Sequence, residues 1–250
     1  MSTQILNDLT FTPAKVEPFA AERATPQAMT YGGVIVRALF FLILTVATAT
    51  AGWNAAADAR PQSGLWFWLG YMLLIALTFA AANNPRIAAV AGIVYALLMG
   101  FWMGSISRLY DAYYDGIVLQ AILASLATFL ACLALYSLRV IRVTGRFVKI
   151  LVIGMVGLML LYLTAFFFSL FGIDLYFWTN PTPVGIGISL LICALAAMSL
   201  IADFAVIESG VKAGAPAAMS WFCAYGLLTT LVWLYLEILR LLAILRRASG

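Results

Sequence analysis

Seven apolar runs, at about 32–53, 65–82, 87–109, 117–140, 147–171, 184–207 and 217–245, fill most of this 250-residue chain. A helix that crosses a bilayer needs about 20 apolar residues at 1.5 Å each, and every run but the second, at about 18, is longer than that. Inside lipid each backbone polar group must be satisfied within its own segment or barrel. Long runs without period-two alternation therefore predict helices rather than barrel strands. Composition rules out a soluble fold of this size. With 65% hydrophobic and only 10% charged residues, too few charges exist to cover an aqueous surface. The expected fold class is an all-α integral membrane protein, a bundle of seven transmembrane helices.

The breaks between runs carry turn chemistry. Asn83-Asn84-Pro85 and Asn180-Pro181-Thr182-Pro183 remove backbone donors and restrict the residues before them. Gly210 to Pro216 separates the last two runs. Residues 1–30 are polar and contain Pro13, Pro18 and Pro26, which reads as a mobile tail ahead of a transmembrane domain at 31–247. Asp8, Glu17 and Glu22 in that tail do not fit a cleaved signal. Seven spans put Lys15, Arg23, Arg37, Arg86, Arg139, Arg142, Arg146, Lys149 and Lys212 on one side, against Arg60, Arg108, Arg246 and Arg247 on the other. That bias predicts a cytoplasmic N-terminus. Trp53, Trp66, Tyr113, Tyr114, Tyr176 and Trp178 would form an aromatic belt at the outer boundary.

Function classes fall away quickly. The chain has no histidine, so it offers no Ser-His or Cys-His nucleophile pair and no zincin motif. No phosphate-binding loop or nucleophile elbow is found, and Cys132, Cys193 and Cys223 lie in apolar runs as packed thiols. The expectation is a non-enzyme with no cofactor. The net charge of +4 is scattered over loops, which does not suit nucleic acid.

Charges inside the membrane are expensive, and few are present. Asp203 lies one to two turns before the end of the sixth run. An ionised carboxylate there must face the bundle interior, pair with a cation or hold its proton, unless it snorkels to water at the interface. Glu237 has Arg240 three residues on, where a local ion pair would lower the cost of both. Asp203 and Glu237 lie at different depths, so a direct pair between them is not expected. Asp111 and Asp115 would share a face if the third helix continued to Gly116. They read either as a solvated acidic loop or as a cation mouth. Gly100 and Gly104 fit a close helix crossing.

Four passages carry a resemblance to a known family. They are Met29-Thr-Tyr-Gly-Gly-Val-Ile-Val-Arg37, Gly116-Ile-Val-Leu-Gln-Ala121, the stretch from Asp203-Phe-Ala-Val-Ile-Glu-Ser-Gly to Pro216, and Leu231-Val-Trp-Leu-Tyr-Leu-Glu-Ile-Leu-Arg240 with the residues to Leu245. Together they resemble the bacterial branch of the Bax inhibitor-1 family, transmembrane proteins with a Bax-inhibitor motif. The resemblance implies seven helices with the last one central, and a calcium-permeable, pH-sensitive leak whose sensor is an acidic pair on the sixth and seventh helices. Asp203 matches the first acid. An ungapped fit of the last helix on Arg240 puts the second at Thr230, with Glu237 two turns further along.

Two functions follow as expectations. One is a cation leak channel or proton-linked transporter in the bacterial cytoplasmic membrane, with Asp203 as gate or proton acceptor and Arg37 or Arg108 as counter-charges. Its partners would be the lipid bilayer and calcium ions or protons. The other is a non-transporting regulator that binds other membrane proteins through its helix faces.

Overall fold

The computed structural model describes residues 28–58, 64–84, 87–169, 171 and 180–249. Seven helices are seen among them: α1 (Tyr31–Asp58), α2 (Gly64–Asn83), α3 (Ala88–Tyr113), α4 (Ile117–Ser137), α5 (Gly145–Ser169), α6 (Pro183–Lys212) and α7 (Met219–Ser249). All but α2 are long and apolar enough to cross a membrane, and the apolar stretch counted in α2 is Met72–Ala81. The chain is a multi-pass helical membrane bundle.

Several helix ends fall elsewhere than the apolar runs predict, each for a local reason. α6 runs five residues past the expected 207. Glu208 and Lys212 pair one turn apart there, which carries the helix beyond its apolar stretch. It stops at Gly214, whose φ of 63° is the left-handed conformation that closes helix C-termini. At its other end Thr182 accepts from the Gly185 amide (3.1 Å), with Pro183 at the first position. α4 ends at Ser137 rather than 140 because Arg139 adopts φ 58° and turns the chain back. α3 runs on to Tyr113, and Tyr114 is extended after it.

The expected tail 1–30 lies outside the described residues as far as 27. Its last residues are anchored rather than mobile: Ala28 bridges Pro216, and the Met29 amide donates to the Ala215 carbonyl at 2.7 Å. Met29 is buried, and Thr30 caps α1 by accepting from the Gly33 amide at 3.0 Å. Of the orientation charges, Lys15, Arg23, Arg60 and Arg86 lie outside the described residues, as do Tyr176, Trp178 and the side chain of Trp66.

α7 is the axis of the bundle. It packs on α1, α3, α4 and α6, and side-chain hydrogen bonds tie it to α2 and α5 as well. Buried side chains divide into two clusters. One joins α1, α2 and α3 to the first half of α7; the other joins α4 and α6 to its second half. The other helices turn broad apolar faces outward, as a lipid solvent requires.

The tightest contact outside α7 is the crossing of α1 and α3. Gly92, Ala96, Gly100 and Gly104 form a small-residue seam on α3. A Cβ at Gly104 would overlap the Ala49 carbonyl, and one at Gly100 would strike the Thr45 backbone and the Thr48 hydroxyl. Close approach lets hydroxyls bridge the helices: Thr48 donates to the Ala96 carbonyl at 3.0 Å and Ser105 to the Gly52 carbonyl at 3.1 Å.

Gly104→Ala should therefore lower unfolding stability in detergent by about 1–3 kcal/mol, the usual cost of overpacking. Gly157→Ala on α5, where an added Cβ meets nothing within 4 Å, should leave it unchanged or slightly higher. Thermal or denaturant unfolding of the two purified variants checks this.

Candidate functional site

Asp203 sits on the α6 face that packs against α7. The extension of α6 places it nine residues before Lys212, about 13 Å in from the helix end, deeper than the apolar run alone indicates. As a residue it is half-buried, but Oδ2 is enclosed and has no hydrogen-bond partner. Opposite it α7 presents Cys223, Gly226 and Thr230, spaced along one face. A Cβ at Gly226 would lie 3.9 Å from Asp203 Oδ1, an ordinary contact distance, which sets the carboxylate beside α7 at this level. Thr230 is buried, faces Asp203, and donates its hydroxyl to the Gly226 carbonyl at 3.1 Å. A threonine hydroxyl has one hydrogen. It can serve that carbonyl or the carboxylate, but not both at once.

The second buried acid is arranged differently. Glu237 is 2% exposed, and its Oε1 accepts from Arg240 Nη2 at 2.7 Å, Trp233 Nε1 at 3.1 Å and Tyr162 Oη at 3.2 Å. Arg240 also donates to Tyr162 Oη at 3.3 Å, which closes a triangle across α5 and α7. Its charge is therefore neutralised within one turn of helix. Seven residues separate Thr230 from Glu237, about 10 Å along the axis, so Glu237 does not join Asp203.

Neither proposed counter-charge reaches Asp203. Arg37 donates to the Gly33 carbonyl at 2.8 Å and lies over the Trp221 ring at 4.9 Å. Arg108, near the opposite end of the bundle, lies over Trp53 at 5.3 Å. Among the described residues no cation acts on Asp203. The acidic pair near α4 is also separated. α3 ends at Tyr113, so Asp111 is helical and accepts from the Gly116 amide at 3.2 Å, while Asp115 stands exposed in the turn. The two carboxylates do not share a helix face.

A family model described as Bax inhibitor 1 like matches residues 10–247. The chain belongs to that family. No curated protein and no solved structure matches it. In this Bax inhibitor 1 like chain the matched position Thr230 is thus the residue that meets Asp203, and it is a hydroxyl rather than a second acid. An open cleft of about 500 Å³ between α1 and α7, lined by Gly33, Arg37, Phe40 and Trp221, does not include Asp203.

Sequence reasoning missed the hydroxyl pairs that run beside the acids. Tyr225 and Thr78 share a hydrogen bond of 2.7 Å, and so do Tyr235 and Ser107. Tyr162 was equally unmarked, because a tyrosine in an apolar run looks the same whether it faces lipid or a partner. Glu208 carried a signal in Lys212 four residues on, but not its third member, Tyr136 on α4.

Arg240→Met should leave Glu237 as an uncompensated buried charge and cost about 3–5 kcal/mol of stability. Glu237→Gln with Arg240→Met should recover most of that loss. Unfolding of the single and double variants measures the difference.

Proposed function

We propose that this protein is a pH-sensitive cation leak channel or proton-linked transporter, permeable to calcium, in which Asp203 is the protonation switch. It would work in the bacterial cytoplasmic membrane with the start of α1 towards the cytoplasm, the side favoured by the lysine and arginine bias. The observation that carries this reading is a membrane-embedded carboxylate that, among the described residues, has no cation beside it and one oxygen without a partner. Intramembrane acids left this way mark ion and proton pathways more often than they hold a fold together.

With no basic residue to lock onto, deprotonated Asp203 offers its charge to a passing cation directly, and Thr230 turns its hydroxyl to the carboxylate. A proton competes for the same oxygen. Protonation removes the charge, lets Thr230 return to the Gly226 carbonyl, and lowers conduction. Acidification should therefore reduce the leak. Glu237 stays outside this cycle because Arg240 already holds its charge.

A second reading, a non-transporting regulator that binds other membrane proteins, is favoured by the shortage of intramembrane charge: with Glu237 held by Arg240, Asp203 alone is thin for an ion path.

Calcium flux into liposomes carrying the purified protein, measured across pH, tests the proposal. The native protein should leak less as pH falls, Asp203→Asn should give a low, flat profile, and Glu237→Gln should keep the native pH dependence. An unchanged profile in Asp203→Asn would overturn the role of Asp203. Flux no greater than in empty liposomes, with a partner that co-purifies in mild detergent, would favour the regulator.

A further inference from the structure

The end of the bundle where α4 stops, α5 starts and α6 finishes holds a second built feature, unconnected with Asp203. A cavity of about 370 Å³ opens there, lined by Tyr136, Arg139, Arg142, Glu208, Ser209 and Lys212, with Ile141, Val143 and Ala205 as its apolar wall. Three cations meet one carboxylate, and that carboxylate is occupied: Glu208 accepts from both Lys212 and Tyr136. Arg139 and Arg142 make no ion pair among the described residues. Arg146 and Lys149 follow on the first two turns of α5.

Arg139 is the telling member. Its φ of 58° makes it the only non-glycine in the left-handed region among the described residues. Helix ends that need this conformation ordinarily use glycine or asparagine, because a Cβ there is strained. Strained backbone positions of this kind cluster at ligand sites, and here the strained residue carries a guanidinium. The turn places its guanidinium over the cavity, beside Glu208 and Tyr136. α5 starts just beyond Val143, where Thr144 accepts from the Phe147 amide at 3.3 Å.

We propose that this cavity binds a phosphate group. Planar guanidinium forks match phosphate oxygens in pairs. The cavity lies at the helix ends, and its lining combines cations with the apolar side chains Ile141, Val143 and Ala205. That pairing suits the head group of an anionic phospholipid, the charge lying between the arginines and the glycerol backbone against the apolar wall. A soluble phosphate ester offers the arginines the same chemistry without the apolar anchor.

Arg139→Gly separates binding from folding, since glycine accepts a φ of 58° without strain. The native protein, Arg139→Gly, Arg139→Gly with Arg142→Gln, and Arg246→Gln with Arg247→Gln would be delipidated in detergent. Each would then be titrated with phosphatidylglycerol, phosphatidylcholine or inorganic pyrophosphate, reading bound lipid by native mass spectrometry and the shift in melting temperature. The native protein should retain phosphatidylglycerol over phosphatidylcholine. Arg139→Gly should melt no lower than native without lipid, yet bind phosphatidylglycerol roughly fivefold more weakly, and the double variant weaker still. The pair at the far end, Arg246 and Arg247, should have no effect. Saturable pyrophosphate binding that is lost in the same variants, with no preference for phosphatidylglycerol, would keep the phosphate site and identify a soluble ligand. Equal binding of all probes by native protein and Arg139→Gly, or an equal loss in the Arg246–Arg247 variant, would overturn the proposal.

Discussion

No water reaches the core of a bilayer to satisfy a stray polar group, so a hydroxyl, amide or charge that the chain carries inward is costly unless protein supplies its partner. α7 is where this chain meets that demand. Tyr225 bonds to Thr78 on α2, Thr230 faces Asp203 on α6, Tyr235 bonds to Ser107 on α3, and Glu237 and Arg240 meet Tyr162 on α5. Polar residues that would be costly against lipid thus become the connections that hold the helices around a common axis. Such hydrogen bonds contribute about 0.6–2 kcal/mol each in membranes, so position and number matter more than any single one.

The same demand explains why the two buried acids differ. Glu237 gathers three donors on one oxygen, one of them a guanidinium three residues away on its own helix. It is a structural charge, neutralised where it stands. Asp203 has a hydroxyl, a thiol and a glycine opposite, and no cation. Two carboxylates on neighbouring helices, about 10 Å apart in depth, are left in opposite electrostatic situations by the residues around them. Chemistry is expected at the one whose charge nothing holds.

Much of this was legible beforehand. Apolar runs longer than a bilayer is thick mark helices with little ambiguity, and the passages around Asp203 and Arg240 pointed to the family. What the runs could not mark was where a helix ends once it leaves the apolar stretch. The Glu208–Lys212 pair carries α6 onward, and Arg139 stops α4 early, both through local contacts that hydropathy does not register. Facing was the other gap. Arg37 and Arg108 read as counter-charges from their type and position in the runs. In the fold both stack on tryptophans, because an α-helix turns each residue to a fixed direction that a linear pattern of apolar residues does not report. Thr230 was found only through the family likeness, since a threonine in an apolar helix normally bonds its own backbone, as this one also does.

The account depends on Asp203 gaining and losing a proton inside the membrane in step with transport. Infrared difference spectroscopy of the reconstituted protein, titrated with acid, reports that event directly through the carboxyl C=O stretch. The account predicts a band that grows on acidification, is absent in Asp203→Asn and present in Glu237→Gln, and tracks the fall in calcium flux. A band unchanged in Asp203→Asn, or one that titrates independently of the flux, would contradict it.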